Sequence, residues 1–473
     1  MTSSLDAPQP TASWLLSAAA GEAPAVLGDG TQEGVPEAPY HEWDEAERSV
    51  AVERDPFGSR PVYYREAEGQ LLVSTSVRTL ARRAGLPVSV DTDAARRALG
   101  EGLALDECLF HGFRRLPPGH RLVYAGGKVE VSPGYVLPSF VPRPETDPGP
   151  GALRDLKQAI VEALRARLAL PGSALLLSGG LDSSLLVALA QEAGQETRRA
   201  FSFVLDLPDD SVELRRARAV ARSTGARHAV IAIREADLPE ALPEAVWALE
   251  DLVWNALPIA KLLFFRRAAV HGVRVAVGGA GADEVFAGNP TALGPAAVDD
   301  TTGEAIGRAQ EGLLLRMLPE VTLPAECRSA TDAGVVVSLP YLDPKVVAQA
   351  ARLPFDLRVE KTLGKVALRL LGEGQVPESV RMQPKVPRPV LPGGTTPQAR
   401  RGWRERLEGW IRSGALVDGK IADERALTGL LGLYERLPVL DPDLAAVERK
   451  LMQLASLSVL MASAPQPPAA GTA

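Results

Sequence analysis

Two glycine-rich turns, each carrying an aspartate, are the residues best suited to chemistry in this chain. The first lies in Leu175-Leu176-Leu177-Ser178-Gly179-Gly180-Leu181-Asp182-Ser183-Ser184, the second in Gly278-Gly279-Ala280-Gly281-Ala282-Asp283-Glu284. In the first, three consecutive aliphatic residues read as the end of a strand buried on both faces. Ser178, Gly179 and Gly180 then turn sharply, and Leu181 to Ala190 resume with apolar residues at helical spacing. A strand, a glycine turn and a helix start leave free backbone N–H groups at the positive end of a helix, which is a site for phosphate. The hydroxyls of Ser178 and Ser183 add donors. Asp182 would repel a bare phosphate, but it fits if it holds a Mg²⁺ that the phosphates share. No Gly-Lys-Ser/Thr follows, so this is not a Walker loop.

The second turn follows the apolar run Val273-Arg274-Val275-Ala276-Val277 and again brings glycines and a carboxylate to a strand's carboxyl end. Asp182 and Asp283 are therefore the candidate metal pair. Hard oxygen ligands from two loops suit Mg²⁺ better than a transition metal.

These turns need a parallel sheet behind them. Apolar runs at Ala200–Leu205 and His228–Ile233 alternate with helical stretches at Leu153–Leu168 and Val212–Thr224, the last stopped by Gly225. Such alternation predicts a doubly wound sheet with its ligand at the carboxyl ends of the strands. Earlier in the chain, Ser49–Arg54, Pro61–Arg65 and Gln70–Ser74 are short strand-like runs parted by turn residues, which predicts an antiparallel sheet. Helices are expected over Val77–Ala84 and about Asp93–Leu99. Residues 1 to about 40, rich in Ala, Gly, Pro and Ser, read as partly ordered, and 137–151 as a proline-rich extended linker. The division expected is 1–136, linker 137–151, 152–463 and a loose tail 464–473.

Composition excludes several classes. With 473 residues, 46% hydrophobic and 23% charged, the chain is long enough for two or three cores. A net charge of −7 without a Lys/Arg run argues against nucleic acid. No stretch of 18 apolar residues suggests a membrane span, and the start lacks a basic secretion signal. Five scattered histidines offer no zinc site, and Cys108 and Cys327 point to a reducing cytoplasm.

The Ser178–Ser184 loop resembles the SGGLDSS loop of ATP pyrophosphatases, in particular the asparagine synthetase family, and Gly279–Gly288 resembles that family's GxGxDExFxG loop. Asp55-Pro56-Phe57-Gly58-Ser59-Arg60-Pro61-Val62-Tyr63-Tyr64 is similar to a segment of its Ntn-type glutaminase domain, and Phe110–His120 to that domain's closing segment. The resemblance implies a truncated antiparallel glutaminase-like domain and a parallel-sheet synthetase domain with helical additions. It also implies ATP and Mg²⁺ as cofactors and an acyl-adenylate passed to an amine. The family's glutaminase nucleophile is a Cys after the initiator Met; this chain has Thr2, so no glutamine hydrolysis is expected. ATP is expected at Leu177, Ser178, Gly179, Gly180, Leu181, Asp182, Ser183, Ser184, Gly279 and Gly281, with Leu177 and Phe203 or Val204 beside the adenine. Glu250 and Asp251 stand where the family's acidic residues face pyrophosphate or substrate.

Val376–Lys385 resembles the family turn whose Lys offsets phosphate charge, and Lys385 is the assigned residue. Lys365 and Arg369, in a stretch similar to the family's K-x-x-L-R helix, share a helix face that either meets solvent or holds an anion. Ala280 departs from the family, where Glu or a catalytic Tyr stands, and Ser338 replaces a frequent Arg. Without glutamine-derived ammonia, the expected reaction is amide or lactam formation within one small-molecule or peptide carboxylate, as in β-lactam synthetases or lasso-peptide cyclases. Ammonia-dependent asparagine synthesis and a non-catalytic nucleotide- or partner-binding role remain the alternatives. A homodimer or a partner biosynthetic enzyme fits either setting.

Overall fold

The computed structural model describes residues 14–28, 39–67, 69–142, 151–194, 199–205, 211–288, 303–360, 363–384, 397–438 and 441–462. The amino-terminal part contains strands β1 (Trp14–Ala19), β2 (Ala25–Gly28), β3 (Tyr40–Asp44), β4 (Ser49–Glu53), β5 (Tyr63–Ala67) and β6 (Gln70–Ser74). Helices α1 (Val77–Ala84) and α2 (Thr92–Gly100) follow, then β7 (Arg114–Arg115), β8 (His120–Ala125) and β9 (Lys128–Pro133). The strands form two antiparallel sheets, ordered β2-β1-β6-β5-β7 and β3-β4-β8-β9. Alternate residues of each point inward. Leu16 and Ala18 of β1 and Leu71 and Val73 of β6 share one core with Val50 and Val52 of β4 and Leu122 and Tyr124 of β8. The expected antiparallel domain is thus a two-sheet sandwich.

One expectation changes. Part of the stretch read as partly ordered is a strand inside its sheet: β1 pairs with both β2 and β6. Its Ala- and Ser-rich sequence carries weak strand propensity, and the period-two burial of Leu16 and Ala18 decides the matter. The Asp55–Gly58 turn is held from both sides. Asp55 accepts from the amides of Phe57, Ser59 and Arg60, while buried Arg54 donates to Arg60 O at 2.7 Å and Leu116 O at 2.6 Å.

The carboxyl-terminal part is the expected parallel sheet. Helix α3 (Ala152–Leu168) leads to β10 (Ser173–Leu176), α4 (Leu181–Leu189), β11 (Arg199–Leu205), α5 (Val212–Thr224) and β12 (Arg227–Ile233). Then come α6 (Leu242–Leu249), α7 (Leu257–Val270), β13 (Val275–Val277), α8 (Ala282–Val285) and, later, β14 (Val336–Ser338). The order is β12-β11-β10-β13-β14, and every neighbouring pair is parallel. The chain winds outward from β10 to β12 and returns on the far side at β13. The switch between β10 and β13 puts the loops that follow these strands side by side, where such sheets bind ligands.

Asp343 caps the helix Pro344–Ala351 as its position before Pro344 suggests, accepting from Lys345 N at 3.0 Å. The helix Leu444–Ala462 packs buried residues along most of its length. The stretch read as a linker begins docked, with Phe140 fully buried and its carbonyl accepting from Arg358; residues 143–150 lie outside the described set. Among the described residues, no helix is long and apolar enough to cross a membrane. Replacing Leu16 by Ala should cost about 2–5 kcal/mol, because Leu16 is fully buried in the sandwich core. Urea denaturation measures this, and an unchanged midpoint would place β1 outside the core.

Candidate active site

The first loop begins one residue past β10, where Leu177 N still bonds Phe201 O at 2.8 Å. Gly179 has φ +78°, and a Cβ there would lie 2.3 Å from Glu213 O. Only glycine lets the turn press this closely on α5. The buried Ser183 hydroxyl staples turn to helix: it accepts from Ser178 N at 3.1 Å, sits 3.0 Å from Ser178 Oγ and donates to Gly180 O at 3.3 Å. Ser183 and Ser184 are buried, whereas Ser178 and Gly180 are exposed at the mouth. Behind the turn, the Ser202 hydroxyl donates to Leu177 O and lies 2.8 Å from His228 Nε2. With the serine proton committed to Leu177, His228 Nε2 is the donor. Burial holds this imidazole below its usual pKa.

The second loop touches the first. Gly278 N bonds Ser338 O at 3.0 Å, and a Cβ on Gly279 would lie 3.1 Å from both Asp182 Cβ and Ser183 N. Gly281 precedes α8, whose first turn carries Asp283. The Tyr341 hydroxyl donates to Asp182 O at 3.0 Å, and its ring stands edge-on to Phe286 at 5.8 Å. One tyrosine thus steadies both loops.

The two aspartates converge on Lys365. Its Nζ lies 2.6 Å from Asp182 Oδ1, 2.7 Å from Asp182 Oδ2 and 2.7 Å from Asp283 Oδ1. The backbone is built around this insertion. Lys365 has φ +61°, its N–H bonds Phe286 O at 3.1 Å, and a Cβ on Gly288 would fall 2.2 Å from both Asp283 Oδ1 and Lys365 Cε. The expected helix face shared with Arg369 does not form. Lys365 precedes the helix Val366–Leu371, and Arg369 donates to the Gly364 and Arg381 carbonyls instead. Burial alone would lower the Lys365 ammonium, but the adjoining Asp182 and Asp283 charges outweigh it and hold the pKa above its ordinary value.

Asp182 and Asp283 bring hard carboxylate oxygens, the donor type Mg²⁺ takes, to one point, where Lys365 engages three of them. Among the described residues, no group of three or more His, Cys, Asp or Glu side chains could cage a metal. Two carboxylates with the remaining positions left to phosphate and water is the arrangement Mg²⁺ commonly takes in nucleotide sites.

The other expected residues divide. Leu177 and Leu181 are buried beside the loop. The backbones of Phe203 and Val204 pair with Ile231 and Ala232 of β12; their side chains, and Lys385 entirely, lie outside the described residues. Glu250 requires correction. Its carboxylate was expected to face pyrophosphate or substrate, but it accepts from Ser76 Oγ, Val77 N, Arg78 N and Arg328 Nη2 at 2.8–3.1 Å. The free N–H groups opening α1 outcompete the site for this charge. Asp251 bonds its neighbour's amide, Leu252 N, at 2.8 Å. Ala280 is partly buried, and Ser338 is fully buried in β14. Lys365 is the site residue that sequence reasoning undervalued; its signal was the K-x-x-L-R similarity.

Comparison with known proteins gives a consistent picture. The asparagine synthase family model matches residues 155–316 and 299–462, and a glutamine amidotransferase domain model matches 40–135. A provisionally assigned glutamine-hydrolyzing asparagine synthetase of Mycobacterium tuberculosis is 26% identical over 464 residues, spanning 80% of this chain and 68% of that protein. Glutamine-hydrolyzing asparagine synthetase 3 of Bacillus subtilis is 22% identical, spanning 73% and 66%. Carboxyethyl-arginine beta-lactam-synthase of Streptomyces clavuligerus is 31% identical over 222 residues, spanning 45% and 40%.

Replacing Lys365 by Met should leave Asp182 and Asp283 without their shared cation. Breaking a buried pair costs about 3–5 kcal/mol, and the partial exposure of the aspartates, 20% and 31%, puts the loss at the lower end. The urea midpoint should fall in EDTA and recover with millimolar Mg²⁺. An unchanged midpoint in EDTA would mean that the triad adds no stability.

Proposed function

The chain belongs to the asparagine synthase family, and on that premise we propose that it is an ATP-dependent, AMP-forming amide synthetase acting without glutamine hydrolysis. The observation that carries this reading is the convergence of Asp182 and Asp283, from the loops after β10 and β13, on one buried cationic centre. A substrate carboxylate oxygen attacks the α-phosphorus of ATP, the bond to the bridging oxygen of the β-phosphate breaks, and pyrophosphate leaves. An amine nitrogen then attacks the acyl carbon, AMP leaves with the bonding pair, and the amine proton passes to a base. The first loop's N–H groups and the exposed Ser178 bind phosphate, and Leu177 with Phe203 or Val204 flanks the adenine. Asp182 and Asp283 would hold Mg²⁺, which supplies charge neutralisation at the leaving pyrophosphate. Lys365 and Lys385 add fixed positive charge, and alignment supplies much of the remainder. Asp251 remains the acidic candidate near the substrate.

The cysteines support the lack of glutamine hydrolysis. Burial raises the Cys108 thiol to about 11, and Cys327 is buried, so neither is an activated thiolate. Ring or chain closure within one substrate needs no ammonia, which favours a natural-product lactam or macrolactam over asparagine. Ala280 offers no acid or base, so the proton acceptor comes from the substrate or from another residue.

The test follows nucleotide products by mass spectrometry, with Mg-ATP, aspartate and ammonium as reactants and Asp182→Ala as control. AMP with asparagine, lost in the variant, would establish ammonia-dependent asparagine synthesis. AMP and pyrophosphate without asparagine would point to a dedicated substrate. Calorimetry decides the core of the proposal. Wild type should bind Mg-ATP and Asp182→Ala should lose at least tenfold in affinity, as expected when about 1.4 kcal/mol of interaction is removed. No binding by wild type would overturn the reading.

A further inference from the structure

We propose that the sandwich is a positioning module for the nucleotide loops, and that Glu250 is the residue through which it acts. Glu250 ends α6 in the left-handed conformation, φ +48°, and is 4% exposed. A non-glycine residue is held in that region only when its surroundings fix it. Here they do so across the module junction. The carboxylate accepts from Ser76 Oγ at 2.8 Å, Val77 N at 2.9 Å and Arg78 N at 3.0 Å, so a synthetase residue caps the first turn of a sandwich helix.

The same carboxylate meets Arg328 Nη2 at 3.1 Å, and the Arg328 guanidinium lies over the Tyr63 ring of β5 at 5.6 Å. Arg78 reaches back to Trp247 O at 3.0 Å and to Asp332 Oδ1 at 3.5 Å, and Asp332 in turn pairs with Arg266 at 3.2 Å. Charges alternate along Arg266, Asp332, Arg78, Glu250 and Arg328. Glu250 and Arg328 are the buried members; a buried pair is a poor source of net stability, but removing one partner is costly, so it fixes one geometry strongly.

That geometry leads directly to the site. Arg328 adjoins the short helix Ser329–Asp332, which turns through Gly334 into β14. Ser338 O, at the end of β14, accepts from Gly278 N of the second loop, and Tyr341 donates to Asp182 O of the first. The junction and both loops thus lie along one short, mostly buried segment. This connection is a physical path, and its coupling is what the experiment measures.

In the full-length protein, Glu250→Ala should speed amide exchange in 178–184, 278–284 and 336–341. It should also weaken Mg-ATP binding roughly 2- to 30-fold. Glu250→Gln, which keeps an accepting oxygen, should restore part of both. If Glu250→Ala does not fold, Ser76→Ala removes one bond of the tie and is read in the same way. Faster exchange confined to α1 and its neighbours, with the loops unchanged, would overturn the proposal. The binding readout rests on the nucleotide function proposed above, whereas the exchange readout does not. Wild type failing to bind Mg-ATP would therefore remove that function and leave the exchange result to judge the positioning role.

Discussion

Two carboxylates brought to one point repel each other, and the centre of this molecule is arranged to keep Asp182 and Asp283 together. The parallel sheet supplies the place, because the reversal of winding between β10 and β13 sets their following loops side by side. Glycine supplies the closeness, at Gly179 against α5 and at Gly288 beneath the ion group. Lys365 supplies the charge. Its ammonium, 4% exposed and within 2.7 Å of both aspartates, compensates two negative groups that would otherwise force the loops apart.

The sandwich meets the rest of the chain through structural contacts. Its two sheets close over a compact core, and its Asp55–Gly58 turn is fully bonded. Among its contacts with the rest of the chain are the start of α1, which captures Glu250, and the aromatic faces of Tyr63 and Phe110, which receive Arg328 and stack on Trp247. A helix terminus and ring faces make these contacts without any catalytic group.

Ala280 and Ser338 mark where this chain differs from the pattern it otherwise resembles. Both stand at the carboxyl ends of β13 and β14, beside the loops that would hold nucleotide. Asp182 and Asp283 are kept, while Ala280 carries no polar side-chain group and Ser338 carries no charge.

The sequence by itself determined the loops, the strands behind them and the order of the parallel sheet's parts, because these follow from short-range patterns. Three aliphatic residues before a glycine turn, or apolar residues at helical spacing, state their structure within a dozen positions. It also identified the aspartate pair, since each aspartate sits in its own recognisable turn. β1 was harder to read, because its short Ala- and Ser-rich run gains its stability from the opposing sheet. The partners of Lys365 and Glu250 were decided by tertiary structure. The lysine meets Asp182 across 183 positions and the glutamate meets Val77 across 173. Spacing put Lys365 on a helix face with Arg369, and the family resemblance put Glu250 opposite pyrophosphate or substrate. Both assignments gave way because a buried charge goes to its nearest opposite charge or free N–H group, and those partners lie next to it only once the chain has folded.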